Sequence, residues 1–166
     1  FEEMELGNKY RKRITTYNKV INETDVFPLH LIKIICEQGD LIHLRSKKFH
    51  VRKLFLELLS DENAEELYYL LFRTFYEVFF LGYLDRFPEF DSLQGTINYT
   101  LYQLSVICND FVPVKNMFEK IVLPAVQEEI RQEPVITREI GWLLQSRILE
   151  PLISFGLIEG KIKKSK

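Results

Sequence analysis

The sequence predicts a mainly α-helical fold: a helical domain around a buried aromatic central helix, with a small antiparallel β-hairpin. The stretch 64–84, AEELYYLLFRTFYEVFFLGYL, is apolar nearly all round, which is typical of a core helix. Most other segments place apolar residues at helical spacing, whereas residues 41–51 change to a period of two. The hydrophobic content of 46% and charged content of 28% are ordinary for a globular protein, so we expect a single domain over 1–166.

Composition also indicates where such a chain is found. Charged side chains inside the stretch 64–84 argue against a membrane span, and no secretion signal is visible. Cys36 and Cys108 lie in apolar runs and are interpreted as buried, reduced thiols, so we expect a cytoplasmic location. Because Phe1 is not an initiator methionine, we also expect the chain to be a piece of a longer protein.

The N-terminal part predicts two helices. Residues 8–22 place apolar residues at i, i+4, i+7 and i+11, which indicates an amphipathic helix with a strongly basic remainder. A second, mostly buried helix is predicted over 28–38, with Pro28 in its first turn, Asp25 as a candidate cap and Gly39 at its end.

The hairpin follows directly. Residues 41–45 (LIHLR) alternate in the manner of a strand, 46–48 are polar and turn-like, and 49–51 can return antiparallel. We then expect a helix over 52–59, stopped by SDEN at 60–63, whose polar side chains can cap the central helix.

The C-terminal half predicts more helices. Pro124 requires a kink or a break in one of them, and Pro151 favours two short helices over one long helix in another. The predicted elements are a loop over 89–95, a helix over 96–109 with a strand as the competing interpretation, a helix over 114–132, a helix or helix pair over 137–156, and a strand beginning in 157–163.

Two places share one order of elements: a buried helix that ends at Gly39 or Gly156, then Leu-Ile beginning a strand, then a basic run. This order resembles the recognition helix and wing of a winged-helix module, above all in ILEPLISFGLIEGKIKK. The stretch LIKIICEQGDLIHLRSKKFHVRKLFLELL resembles winged-helix-like regions of uncharacterised bacterial proteins, some of them plasmid-associated. The resemblance implies winged-helix-like units at 9–59 and 114–166, flanking a helical core at 60–112.

Winged helices bind DNA or dock proteins, so the resemblance leaves both functions open. The candidate recognition helices are poor in the side chains that contact base edges. Their polar residues are His30, Lys33, Glu37 and Gln38 in the first, and Arg147, Glu150 and Ser154 in the second.

No catalytic motif is present, so a non-enzymatic protein without a cofactor is expected. Cys36, His43 and His50 recur with six residues between neighbours, which raises the possibility of zinc. A zinc site needs a fourth ligand and closer spacing, so we favour packed or exposed histidines and predict no metal site.

The strongest functional signal is a basic patch in residues 41–53, which contain no carboxylate. Five basic residues there are the candidate nucleic-acid-binding residues: Arg45, Lys47, Lys48, Arg52 and Lys53. Residues 1–55 are basic overall and 56–160 acidic, although the net charge is −2. The first hypothesis is therefore a bacterial DNA-binding or regulatory module whose basic hairpin lies on the phosphates of double-stranded DNA.

Two other interpretations stay open. One is a helical protein–protein interaction or structural domain, whose partner is another protein or the flanking parts of the same chain, docked on exposed aromatics of the central helix. The other is a hairpin whose charges are simply solvated. None of the three involves a membrane, and the oligomeric state is left open.

Overall fold

The structure is a computed structural model, and it describes Thr16 and residues 22–161. It is mainly helical with a two-stranded antiparallel sheet, as predicted. The chain forms two compact units, Phe1–Leu71 and Phe72–Lys166. The predicted first helix, 8–22, lies outside the described residues apart from Asn22 and Thr16, which is helical. The winged-helix-like units at 9–59 and 114–166 stay a prediction.

Unit 1 contains a helix, the hairpin and a series of tight turns. Its regular elements are α1 (Phe27–Gln38), β1 (Ile42–Arg45), β2 (Lys48–Val51) and the start of α2 (Ala64–Arg73), which crosses the boundary between the units. Short 3-10 helices cover Glu23–Asp25, Lys53–Phe55, Glu57–Leu59 and Asp61–Asn63.

Helix α1 confirms the bounds predicted as 28–38, with Pro28 in its first turn. The prediction of a mostly buried helix is wrong, because Ile35 is its one buried residue and Leu29 and Ile32 are exposed. Its N-cap is Val26 and not Asp25, because the Asp25 carboxylate accepts a hydrogen bond from the backbone N–H of Asn22 at 2.8 Å. Asp25 is therefore occupied within the preceding 3-10 turn.

The predicted helix over 52–59 is wrong, since two 3-10 turns take its place. The Ser60 hydroxyl and the Asn63 amide both donate to the backbone carbonyl of Glu57, each at 2.9 Å. Ser60 and Asn63 therefore stabilise these turns, whereas the sequence predicts that the polar side chains of 60–63 cap the central helix.

Unit 2 is helical throughout its regular elements. They are α3 (Asp91–Gly95), α4 (Ile97–Ile107), α5 (Phe118–Ile121), α6 (Pro124–Arg131), α7 (Pro134–Leu144) and α8 (Glu150–Ser154), with 3-10 turns at Leu81–Tyr83 and Val114–Asn116. The helix predicted over 96–109 and the break at Pro124 are confirmed. The predicted loop over 89–95 is wrong, because α3 lies there.

The aromatic stretch 64–84 is not one continuous helix. Helix α2 ends at Arg73, a π-turn covers Thr74–Val78, and Phe79 adopts an extended backbone. The N–H of Phe79 donates to the Thr74 carbonyl at 2.9 Å, and the Gln94 amide donates to the Phe79 carbonyl at 2.9 Å. The Phe79 carbonyl at the end of the turn thus receives a side-chain donor, which stabilises the break.

Burial within this stretch is also uneven. Phe75, Tyr76 and Phe79 are buried, and Phe75 stacks on Phe79 with ring centroids 5.4 Å apart and meets Phe155 edge-on at 5.8 Å. The prediction of burial all round fails for Tyr68, Tyr69, Val78, Phe80 and Tyr83, which are exposed. Fully buried aliphatic side chains complete the core of unit 2: Ile121, Ile130, Ile136, Leu143, Leu144 and Leu152.

A second π-turn, Gln145–Leu149, joins α7 to α8. It lies where two helices were favoured over one, and Pro151 stands in the first turn of α8. The Tyr76 hydroxyl of the first π-turn donates to the Ile148 carbonyl of the second at 3.5 Å. Such turns insert one extra residue into an α-helix and redirect the side chains around them.

The repeated order of elements is real at the helix ends. At the end of α1, Leu41 N–H donates to the Cys36 carbonyl at 2.9 Å and Asp40 N–H to Glu37 at 3.1 Å. This pair of bonds is a Schellman motif, in which the residue after the cap takes a left-handed conformation. That residue is Asp40, with φ of 60°, and not Gly39.

The end of α8 carries the same motif. Leu157 N–H donates to Leu152 and Gly156 N–H to Ile153, both at 2.9 Å, and Gly156 has φ of 72°. The two ends therefore correspond with Asp40 over Gly156, one residue away from the correspondence that the sequence suggested. No strand follows over the described residues 157–161, so the predicted C-terminal strand does not form there.

Candidate nucleic-acid interface

The hairpin of unit 1 is a short, fully paired ribbon. Its antiparallel register places Arg45 opposite Lys48 and His43 opposite His50. Opposite residues of an antiparallel pair share a face, and successive residues alternate between faces. These four side chains therefore lie on one side of the ribbon, which we call the basic face.

The turn between the strands consists of Ser46 and Lys47, whose φ angles are 51° and 61°. Positive φ at both central residues is what a type I′ turn requires, and its twist matches that of the strands. Asn-Gly usually occupies such a turn, because a side chain in this region costs about 1 kcal/mol or more. Ser46 and Lys47 thus hold a strained turn that displays the Lys47 amine at the tip.

The base of the hairpin is attached to the end of α1. The Asp40 carboxylate forms an ion pair with the Arg52 guanidinium, and the backbone N–H of Arg52 donates to the Leu41 carbonyl at 3.0 Å. The Asp40 carboxylate, which directly precedes residues 41–53 in the sequence, is therefore already paired with one of the five candidate residues. Arg52 fixes the orientation of the ribbon, and its charge is partly compensated.

The other four candidates are differently placed. Arg45, Lys47, Lys48 and Lys53 are all exposed, and no residue of the described chain forms an ion pair with them. Arg45 and Lys48 project from the basic face, Lys47 from the tip, and Lys53 from the 3-10 turn after β2. The structure thus brings the predicted patch together around one ribbon.

A shallow depression of about 490 Å³ lies on this side of the hairpin, and its lining includes His43, Arg45, Lys48, His50 and Lys53. The His43 and His50 rings stack with centroids 5.7 Å apart. The Nδ1 atom of His43 is buried and finds no hydrogen-bond partner. Every charged side chain of the depression is therefore a cation or a histidine.

The opposite face of the ribbon is apolar. It carries Ile42, Leu44, Phe49 and Val51, and the exposed fractions of the last three are 61%, 46% and 36%. The Lys33 amine lies 5.3 Å from the centroid of the Phe49 ring. No hydrogen-bond donor side chain stands on this face.

In the two candidate recognition helices, the basic side chains and His30 are held by carboxylates. In α1, His30 Nδ1 lies 2.6 Å and Lys33 Nζ 3.2 Å from the Glu23 carboxylate. The hydrogen bonds from His30 and then Lys33 lower the pKa of Glu23, despite the opposing effect of desolvation. These two side chains stabilise the start of α1.

Arg147 was a polar residue of the second candidate recognition helix, but the structure buries it within unit 2. Its side chain is 2% exposed and that of Asp85 is 0% exposed. Arg147 Nε and Nη2 each donate to Asp85 at 2.7 Å, and Nη2 also donates to the carbonyls of Phe87 at 3.1 Å and Pro88 at 3.0 Å. The Ser146 hydroxyl donates to Asp85 at 2.8 Å.

This buried pair was missed because a lone Asp and a lone Arg 62 positions apart carry no spacing signal. Burial alone would raise the pKa of Asp85, but the hydrogen bonds from Arg147, the Phe87 N–H and Ser146 outweigh it and hold that pKa below its ordinary value. The cluster holds the loop after the aromatic stretch, in which Arg86 has a left-handed φ of 64°.

The zinc hypothesis gains no ligand set from the fold. Among the residues that the structure describes, no three or more His, Cys, Asp or Glu side chains form a group suited to a metal ion. Both cysteines are free thiols, but Cys108 is exposed and Cys36 only half-buried, so the prediction of two buried thiols is wrong. Cys108 is the C-cap residue of α4, directly after its last turn.

The comparisons with known proteins address the part of the chain that contains this hairpin. Residues 1–64 match the family model of the Y4jL N-terminal domain. The matched stretch is similar to that domain. It includes α1, both strands and all five candidate residues. The match supports the expected relation to a bacterial family in this stretch, whereas the winged-helix resemblance stays a prediction.

No curated protein matches the chain, and no solved structure does. None of the described helices has both the length and the apolar character needed to cross a membrane.

Proposed function

We propose that this chain is a non-enzymatic bacterial DNA-binding or regulatory module of the cytoplasm, which lays its basic hairpin on the phosphates of double-stranded DNA. One observation carries the proposal: Arg45, Lys47, Lys48 and Lys53 surround one ribbon, are exposed and have no carboxylate within residues 41–53. Phosphate contacts of this kind supply affinity that is independent of sequence and falls with salt.

The geometry supports phosphate contact because the ribbon is held at its base. Its strands are paired over their full length, and the Asp40–Arg52 ion pair ties its base to α1. Cations on a fixed support lose less conformational freedom on binding than cations on a disordered loop. Arg52, already paired, is expected to contribute less than the other four.

The test is a salt titration of duplex affinity with the parent and a variant in which Arg45, Lys47 and Lys48 are replaced by alanine. Exposed charges contribute little to stability, so the variant should stay folded. We expect weaker binding to every sequence and a salt dependence flatter by about 2–3 units of slope, at ~0.9 per phosphate contact.

A matched control removes three exposed cations from unit 2 by replacing Lys115, Lys120 and Arg138 with alanine. It changes the net charge equally and should leave both affinity and slope near those of the parent. An equal loss in both variants would show that net charge, and not the hairpin, governs binding. Absence of duplex binding by the parent at about 50 mM salt would reject the DNA function.

The second candidate function is protein docking, and exposed aromatic side chains in the stretch 64–84 favour it. Tyr69, Phe80 and Tyr83 are exposed there, and aromatic residues dominate the energetics of protein interfaces. This function takes first place if the salt titration shows no binding.

A further inference from the structure

The side chains on the basic face of the hairpin are spaced more regularly than phosphate binding alone requires. Arg45 and Lys48 form one rung across the ribbon, and His43 and His50 form the next. Side chains on one face of a strand recur every second residue, so the rungs are about 7 Å apart at ~3.4 Å per residue. Two base-pair steps of B-DNA span nearly the same length, at ~3.4 Å each.

The width of the ribbon decides which groove can take it. Neighbouring strands are about 4.8 Å apart, and side chains at both margins bring the ribbon to roughly 10 Å. That exceeds the minor groove, which is about 6 Å wide, and fits the major groove, at about 12 Å.

The division of side chains between the two faces sets the orientation. Ile42, Leu44, Phe49 and Val51 occupy the other face and offer no donor to a base edge. With the basic face toward the bases, Lys47 at the tip and Lys53 beyond β2 remain at the ends of the ribbon. Those two cations are placed for the phosphates that border the groove.

We propose that the hairpin lies in the major groove and that Arg45 binds the O6 and N7 acceptors of a guanine through its guanidinium group, with Lys48 on the neighbouring base. This rests on the proposed function, and it adds base recognition to phosphate contact. Arg45 is exposed and forms no ion pair with any described residue, so no carboxylate in the described part of the chain competes for its guanidinium. Arginine with guanine is the most frequent specific pairing in the major groove.

The experiment uses the 166-residue chain and a library of random 20-bp duplexes at about 100 mM salt. The parent and the Arg45→Lys variant are carried through the same rounds of enrichment. Lysine keeps the charge but loses the bidentate geometry. We expect the parent to enrich a guanine-containing sequence and the variant to enrich it at least about fivefold less, with an unchanged salt slope.

The enriched duplex is then synthesised with 7-deazaguanine, which lacks the N7 acceptor in the major groove, or with inosine, which lacks the 2-amino group in the minor groove. The proposal expects roughly fivefold weaker binding of the parent to the first, and little change with the second. Arg45→Lys should lose most of its sensitivity to 7-deazaguanine. Lys47→Ala serves as the control variant, because it should weaken binding and keep that sensitivity.

The outcomes distinguish base recognition from the proposed phosphate-binding function on which it rests. Duplex binding without any enriched sequence, or equal binding to guanine and 7-deazaguanine duplexes, overturns base recognition and leaves the phosphate-binding function in place. Sensitivity to inosine alone overturns the choice of groove. No duplex binding at any salt rejects the function as well.

Discussion

Arg45 in the hairpin and Arg147 in unit 2 carry the same guanidinium group in opposite surroundings. Arg45 is exposed on a ribbon without carboxylates, whereas Arg147 is enclosed and bonded to Asp85 and two backbone carbonyls. A buried charge must be paired to be tolerated, and an exposed one is held by water at little cost. The comparison therefore assigns Arg147 to stability and leaves Arg45 available for a ligand.

The largest expected change in stability comes from removing Arg147, the buried arginine of the two. Arg147→Ala should lower the free energy of unfolding by about 3–5 kcal/mol, because it leaves the Asp85 carboxylate buried without its partner. Arg45→Ala is the matched variant and should change it by less than about 0.5 kcal/mol. Urea unfolding of both variants measures the difference. Similar losses in the two would break the comparison.

The pH dependence of stability sharpens the same point. The pKa of Asp85 is lowered in the folded state, so its ion pair contributes stability above the unfolded pKa of about 3.9. That contribution is lost as the pH falls through the lower folded pKa. The difference in unfolding free energy between the parent and Asp85→Asn should thus be constant from about pH 5 to 8 and shrink below about pH 4. A difference that stays constant down to about pH 2 would contradict the assignment.

The turn of the hairpin allows stability and binding to be moved in opposite directions. Lys47→Gly should stabilise unit 1 by about 0.5–1 kcal/mol, because glycine adopts the left-handed conformation without strain. It should also weaken duplex binding and lower the salt slope by about 0.9. Lys48→Ala removes the same charge outside the turn, so it should share the loss of binding without the gain in stability. Destabilisation by Lys47→Gly would show that the turn is not type I′.

The smallest expected effect is a difference in reactivity between the two cysteines, one of which is exposed and the other half-buried. Burial raises the pKa of the Cys36 thiol, with the Glu37 charge adding to it, and burial also raises that of Cys108. Both should therefore react slowly at neutral pH, but exposed Cys108 should react several-fold faster than half-buried Cys36. Timed labelling of Cys36→Ser and Cys108→Ser variants separates the two rates. Faster labelling of Cys36 would contradict the order.

Local patterns in the sequence predicted much of unit 1. The period of two in 41–51, Pro28 and the polar run 46–48 are enough to place α1, both strands and the turn, although Lys48 belongs to β2 and not to the turn. The same patterns predict that the five candidate residues lie on or next to one hairpin. What they miss is Asp40, whose left-handed conformation brings it to Arg52 and depends on the geometry of a helix end.

The errors in unit 2 come from contacts that no local pattern contains. The break at Phe79 is stabilised by Gln94, fifteen positions away, and the burial of Arg147 by Asp85, sixty-two positions away. An apolar run can also leave its rings outside the core, as Tyr83 shows. Composition indicates that such a stretch is helical and aromatic, but not where tertiary hydrogen bonds interrupt it.

The π-turn Gln145–Leu149 has a consequence for insertions and deletions. A π-turn holds one residue more than the α-helix requires, so deleting one residue there would restore a continuous helix from α7 into α8. Each residue of a helix turns the following side chains by about 100°. The shortened chain would keep its helix but rotate Leu152 out of the core, and loss of any residue from Ser146 to Ile148 would also remove a bond to Asp85 or Tyr76. Length variation at this turn should therefore be rarer than in a surface loop of equal size.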